Sequence, residues 1–162
     1  MPSWGSACLS GRKLLLAEDH FSQLWPRHVE GMIDLLTQLR AAFDGDLDAA
    51  LILAVVGAAL LPKDRLPSSF SYAQLREQRH LDLRRPLNTL SIAQITGIPR
   101  ETVRRKLAAM EARQWIARDA AGHWKMGERG TEDLRPMTEF SLKYVSSIAE
   151  GIDLARAQKN EG

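Results

Sequence analysis

Apolar residues recur every three or four positions through much of this chain, and near residue 120 they give way to a short alternation. From about Pro26 to Phe43, Val29, Met32, Ile33, Leu36, Leu39 and Phe43 share one broad face, with Arg, Glu and Asp opposite, which predicts an amphipathic helix. Asp44-Gly45-Asp46 breaks that helix and supplies a capping carboxylate for the next, Leu47 to Leu61, which is apolar nearly all round. A membrane crossing needs about 20 apolar residues, and this stretch is shorter and carries Asp48, so the expectation is a central core helix. Its small residues Ala54, Gly57 and Ala58 would admit a closely approaching helix. Pro62-Lys63-Asp64-Arg65-Leu66-Pro67 reads as a linker blocked by proline at either end. Ser71 can then cap a helix through about Leu81, with Tyr72, Leu75 and Leu81 as a scaffold for the helices beyond it, and Arg84-Arg85-Pro86 makes an extended connection.

The most informative stretch runs from Asn88 to Met126. Ile92, Ala93 and Ile95 give a brief amphipathic helix that must stop at Gly97, a residue free to take positive φ where the chain turns. Ile98 tucks inward and Pro99 presets the first turn of a second helix, whose buried stripe is Val103, Leu107 and Met110. Arg100, Glu101, Thr102, Arg104, Arg105 and Lys106 are left to point outward. Trp115–Arg118 and His123–Met126 then read as strands joined by Asp119-Ala120-Ala121-Gly122. Two short helices, a tight turn and a hairpin are the order of a winged helix-turn-helix. Gly127 and Gly130 release the chain into a last helix, Thr131 to about Ala157, entered through Pro136. On it Met137, Phe140, Tyr144, Ile148 and Ile152 form an apolar stripe too long for a lone surface helix.

The run IAQITGIPRETVRRKL, within Ile92–Ile116, resembles the DNA-binding domain of the cyclic-AMP receptor (Crp/Fnr) regulators, and similar winged helices occur in MarR-like repressors. That resemblance covers roughly a quarter of the chain. It implies that Arg100, Glu101 and Arg105 match base-contacting residues and that Thr102 matches a residue meeting the phosphate backbone. Lys106 stands where the family usually carries an apolar residue. Nothing upstream resembles the family's Gly-rich, strand-rich cyclic-nucleotide barrel, so the resemblance implies DNA binding without a cyclic nucleotide.

Charge sharpens this expectation. The formal net charge of the 162 residues is only +2, yet Lys63–Gly130 holds fourteen Lys and Arg against seven Asp and Glu, leaving the two flanks together at −5. Positive potential gathered on one module suits a polyanionic partner. Cys8 is the one cysteine and cannot form an internal disulfide, which fits a reducing cytoplasm. Arg12 and Lys13 precede only Leu14–Ala17 before Glu18, too short an apolar run for a signal peptide.

Enzyme chemistry finds little support. His20, His28, His80 and His123 are scattered, with neither a cysteine nor a carboxylate at metal-ligand spacing. Asp44, Asp46 and Asp48 alternate like the opening of a calcium loop, but the glutamate required at its twelfth position is missing, and helix capping explains them better. Trp25 and Trp115 are expected as core or interface aromatics, and Trp4 as a docking residue of the arm.

The expected fold is thus mainly α with a small β-hairpin wing: a winged helix-turn-helix at 63–130, flanked by a loose arm at 1–19, an N-terminal helical core or dimerisation region at 20–62, and a C-terminal helix at 131–162. The expected function is that of a cytoplasmic, homodimeric, sequence-specific DNA-binding transcriptional regulator of bacterial type, without enzymatic activity, whose recognition helix 99–112 enters the major groove of double-stranded DNA. Arg100 and Arg105 have the reach and planar fork for guanine O6 and N7, and Glu101 can accept from cytosine N4. Thr102, Arg104 and Lys106, with Arg118, His123 and Lys125 from the wing, suit phosphates. No cofactor, metal or membrane is implied. Whether a small-molecule effector acts is not written in the sequence, and a pocket for one would lie among the apolar N-terminal helices. The alternative is a winged helix used for protein contacts in a larger complex.

Overall fold

A computed structural model describes residues 17–61, 69, 71–77 and 86–161 of the chain. Its described part is mainly helical, with one two-stranded antiparallel hairpin. In chain order the elements are α1 (Phe21–Ala42), α2 (Leu47–Leu60), α3 (Tyr72–Glu77), α4 (Thr89–Thr96), α5 (Arg100–Ala112), β1 (Ile116–Arg118), β2 (Trp124–Met126), α6 (Glu128–Asp133) and α7 (Arg135–Glu161). No helix among the described residues is long and apolar enough to cross a membrane.

Two compact units divide the chain. One is continuous, Asp46–Leu134; the other joins the residues up to Gly45 with those from Arg135 onward. The expected boundary between 62 and 63 is therefore displaced to residue 45, and α2 belongs with the hairpin and not with α1. The physical reason is partnership: α2 packs on β2, α4 and α5. Ile52 and Val56 on α2, Ile92 on α4, Val103 and Leu107 on α5 and Ile116 on β1 are the large side chains that this unit encloses most completely. So α2 takes the scaffold role expected of the helix at 71–81, of which Tyr72–Glu77 is described and 78–81 lies outside the described residues. Among the described residues nothing lies within 4 Å of where a Cβ on Gly57 would stand.

Local signals set the ends of these helices. Asp46 caps α2 by accepting from Ala49 N at 3.0 Å, and Asn88 caps α4 by accepting from Ser91 N at 2.9 Å. α4 ends at Gly97, φ +71°, whose N–H donates to Ala93 O. α5 ends less conventionally, with Gln114 at φ +60° in the left-handed position that glycine usually fills. Gln114 N donates to Glu111 O and Trp115 N to Met110 O, the paired bonds of a Schellman turn. That turn aims Trp115 and β1 back across the unit. Trp115 is buried, with Nε1 donating to Asp133, and Trp124 Nε1 donates to Thr89.

Gly127 and Gly130, expected merely to release the chain, instead sit against the turn that follows α5. A Cβ on Gly130 would stand 2.2 Å from Trp115 O, and one on Gly127 2.3 Å from Gln114 O. Gly130 lies inside α6, a short helix before the long one, so the last helix begins at Arg135 and not at Thr131.

In the other unit α1 and α7 run antiparallel, since Leu24 and Arg27 meet Gly151, Arg27 reaches Ser147 and Glu150, and His28 and Gly31 meet Tyr144. α1 starts at Phe21, upstream of the expected Pro26, and residues 17–19 of the expected arm are already helical. Pro26 sits in the second turn, where it removes one i to i−4 bond without ending the helix. The rest of the arm, with Trp4 and Cys8, and the linker 62–67 lie outside the described residues.

Candidate nucleic-acid interface on α5 and the hairpin

Because α4 and α5 are joined by only Gly97-Ile98-Pro99 and Ile98 is buried beneath the turn, α5 is fixed against α4 and α2 through Val103, Leu107 and Met110. At 3.6 residues per turn, a stripe at 103, 107 and 110 puts 101 and 105 on the far side and 104 on the flank, while 100, three residues before 103, is left open only because it begins the helix. Arg100, Glu101, Arg104 and Arg105 are indeed exposed, and Thr102 is half-buried beside them.

Within that row Arg104 is engaged. Its Nε and Nη2 donate to the two carboxylate oxygens of Glu101 at 2.9 and 2.5 Å. This hydrogen-bonded guanidinium, aided by the charges of Arg105 and Arg100, holds the Glu101 carboxyl below its usual range, and Glu101 in turn raises Arg104.

Lys106 departs from expectation. Only 13% of its side chain is exposed, and Nζ donates to both carboxylate oxygens of Asp46, the α2 cap, at 2.5 Å to Oδ1. The bond to Lys106 holds the Asp46 carboxyl below its usual range against the opposing effect of burial. Lys106 therefore clamps α5 to the start of α2 and is not presented outward with the arginines. Position 106 faces inward, where an apolar residue would also fit.

The hairpin pairs Ile116 with Met126, Ala117 with Lys125 and Arg118 with Trp124. Cross-strand partners share a face, so Arg118 and Lys125 project from opposite faces of the ribbon and do not form one cationic edge. Arg118 lies over the buried Trp124 ring at 4.2 Å and 4.0 Å from Glu111. His123 stands at the tip, its Nδ1 3.7 Å from Asp119. The tip itself is tied by Asp119, which accepts from Ala121 N and His123 N, while Gly122 takes φ +81°. Lys125, on the outward face with Ala117, is half-buried.

The arrangement thus brings together Arg100, Glu101, Arg104 and Arg105, adjoins Thr102, and leaves Lys106 and the three hairpin residues apart from that row. From the sequence Asp46 is only a cap, and its pairing with Lys106 joins residues sixty positions apart. The Glu101–Arg104 pair is legible as an i,i+3 acid–base spacing on a helix. Among the described residues no group of three or more His, Cys, Asp or Glu is placed to hold a metal. A depression of about 570 Å³ is lined by Leu142, Lys143, Ser146, Ser147 and Glu150, all from α7, and so is a surface groove and not a pocket between helices. Comparison with known protein families, with curated proteins and with solved structures finds no match to this chain.

Proposed function

We propose that residues 46–134 act as a winged helix-turn-helix that binds double-stranded DNA through α5, and that the chain is a homodimeric, sequence-specific transcriptional regulator. The observation that carries this reading is the row Arg100, Glu101, Arg104 and Arg105, held outward on a helix whose other side is locked by Val103, Leu107 and Met110. An α-helix fits the major groove, and side chains of this length reach base edges from it. In this reading Arg100 and Arg105 favour guanines, Glu101 favours cytosine, and Thr102 touches the backbone. The hairpin contributes from its tip and outward face, through His123 and Lys125.

Selection of genomic fragments by the purified protein tests the reading. The expected product is an inverted repeat whose half-site centres lie about 10–10.5 base pairs apart or a multiple of that. Arg105→Ala should relax preference at one position of each half-site, by about 1–3 kcal/mol. Equal losses on the selected and a scrambled sequence would make Arg105 a purely electrostatic contact. Affinity confined to low salt, with no sequence preference at all, would favour the protein-contact alternative.

Of the two stripes from which the sequence suggests a dimer, Leu47–Leu61 and Met137–Ile152, the core of the other unit consumes the first, and the α1–α7 pair supports the homodimer. At about 100° per residue, Phe21, Trp25, Met32 and Leu36 lie roughly 100° round α1 from its contacts to α7. Val145 and the half-buried Ile152 lie about as far round α7 from Tyr144, Ser147 and Gly151. For antiparallel helices these offsets point to the same side, so the pair carries one continuous apolar face. Phe21, Trp25 and Val145 are 55%, 51% and 60% exposed. With Met32 and Leu36 they amount to about 500 Å² per copy, at roughly 200 Å² for a large side chain. Two copies closing into a four-helix bundle would bury about 1,000 Å², the least that a specific interface needs. Sedimentation at micromolar concentration should show a dimer that Val145→Glu dissociates. A wild-type monomer would overturn this part of the reading and leave DNA binding to be judged by the selection.

A further inference from the structure

We propose that Glu101 and Arg104 form a sequence gate, in which Arg104 is kept from the DNA backbone until Glu101 finds a base amino group to accept from. The inference rests on the DNA-binding reading and deepens it by coupling a base contact to a phosphate contact.

Two bonds from Arg104 occupy both oxygens of the carboxylate, so the pair faces solvent as a nearly neutral unit. Glu101 is the only acid between Arg100 and Lys106, and Asp46 has already taken Lys106. Two of the four cations on this stretch are thus neutralised within the chain. The two neutralised pairs are unlike each other. The Lys106 side chain is 13% exposed and braces two helices, whereas Arg104 and Glu101 are 69% and 75% exposed and brace nothing. An exposed pair at i,i+3 is weak and screened, so it opens where both members find new partners, whereas drawing Arg104 alone to a phosphate would leave the bare Glu101 carboxylate facing the polyanion.

The major groove offers such partners selectively. Cytosine N4 and adenine N6 donate, while guanine and thymine turn acceptors toward a carboxylate and repel it. Where an amino group stands opposite Glu101, the carboxylate accepts from it, and Arg104 is released to donate to a phosphate. Where none does, Glu101 retains Arg104, which then neutralises no phosphate. A mismatch at that one base pair therefore removes two contacts. The gate lowers affinity for the great excess of wrong sequences without any contact of its own to them.

The salt dependence of binding counts phosphate contacts, each adding about 0.9 to the log–log slope on duplex DNA. Full-length protein is titrated on its selected site and on sites with each base pair of a half-site replaced in turn. Wild type, Arg104→Ala, Glu101→Gln and the double variant are compared, with thermal melting confirming that these exposed substitutions leave the fold intact. On the matched site Arg104→Ala should make the slope shallower by about 0.9, and on the site mismatched opposite Glu101 it should change nothing. Glu101→Gln should raise affinity for that mismatched site several-fold and steepen its slope by about 0.9, a gain that adding Arg104→Ala abolishes. An equal loss of slope on both sites from Arg104→Ala, or a mismatched slope unmoved by Glu101→Gln, overturns the gate while leaving DNA binding intact. Wild type without sequence preference at any salt concentration overturns the DNA reading and the gate with it.

Discussion

Residues 46–134 enclose Ile52, Val56, Ile92, Val103, Leu107 and Ile116 almost completely, whereas α1 and α7 bury very little between them. In the described part of that second unit only Phe43, Gly151 and Ala155 are fully buried. The contacts joining α1 to α7 include polar and aromatic ones: Arg27 to Ser147 and Glu150, His28 Nδ1 to the Tyr144 hydroxyl at 2.6 Å, and Gly31 laid against the Tyr144 ring. The first unit is a core with a surface, while the second is a surface still short of a core. Two helices alone cannot enclose an apolar stripe on each, so the second unit gains most from a further layer.

Core truncation should expose this difference most strongly. Leu107→Ala removes a fully buried side chain from the first unit and should cost about 3 kcal/mol, read as a lower melting temperature that does not depend on protein concentration. Leu36→Ala on α1 should cost well under about 1 kcal/mol in dilute protein and more where the protein is concentrated, because its partner atoms are then supplied by association. Equal, concentration-independent costs would erase the contrast.

Next in size is the contact behind the hairpin. Gly130→Ala places a Cβ 2.2 Å from Trp115 O, a backbone atom that cannot swing away. A loss of about 2–3 kcal/mol is expected from such overpacking, measured by chemical denaturation, with α1–α7 unaffected in the monomer. Gly57→Ala, where a Cβ meets nothing within 4 Å, should instead stabilise the α2 interior by up to about 1 kcal/mol.

The Asp46–Lys106 clamp gives a smaller, pH-dependent effect. Its hydrogen bond holds the folded-state carboxyl below the unfolded value, so the contribution is present above about pH 4 and is lost as pH falls through the depressed folded value. Asp46→Asn should cost roughly 1 kcal/mol near neutrality, discounted because 40% of the Asp46 side chain is exposed, and should flatten the acid limb of the stability profile. An unchanged acid limb would remove Lys106 from the account of how α5 is fixed.

The stretch 88–126 is legible in the sequence because its determinants are local. Gly97 announces the turn, Val103, Leu107 and Met110 announce the buried side, and Gly122 closes the hairpin. The features that cannot be read depend on distant partners. A helix apolar nearly all round, such as α2, contains no periodic cue to the direction of its neighbours, so chain order alone groups it with α1. Lys106 fits an outward position until Asp46 is brought beside it. Gly127 and Gly130 look like breakers until the Schellman turn at Gln114 carries the backbone of 114 and 115 against them. Along α7 the expected stripe is right in period, but Phe140, Tyr144 and Ile148 are half-buried, and Val145, outside that stripe, is more exposed than any of them.

That one unit is continuous and the other interrupted by it bears on the order in which the protein is made. Residues 46–134 can collapse as soon as they leave the ribosome, since every partner they need is already present. α1 emerges first yet must wait for α7, translated only after the whole intervening unit. Folding the intervening segment draws the two ends of that long loop nearer and so lowers the entropic cost of closing it. Until then the apolar stripe of α1 is exposed on the nascent chain, where another nascent α1 or a chaperone can reach it before α7 does.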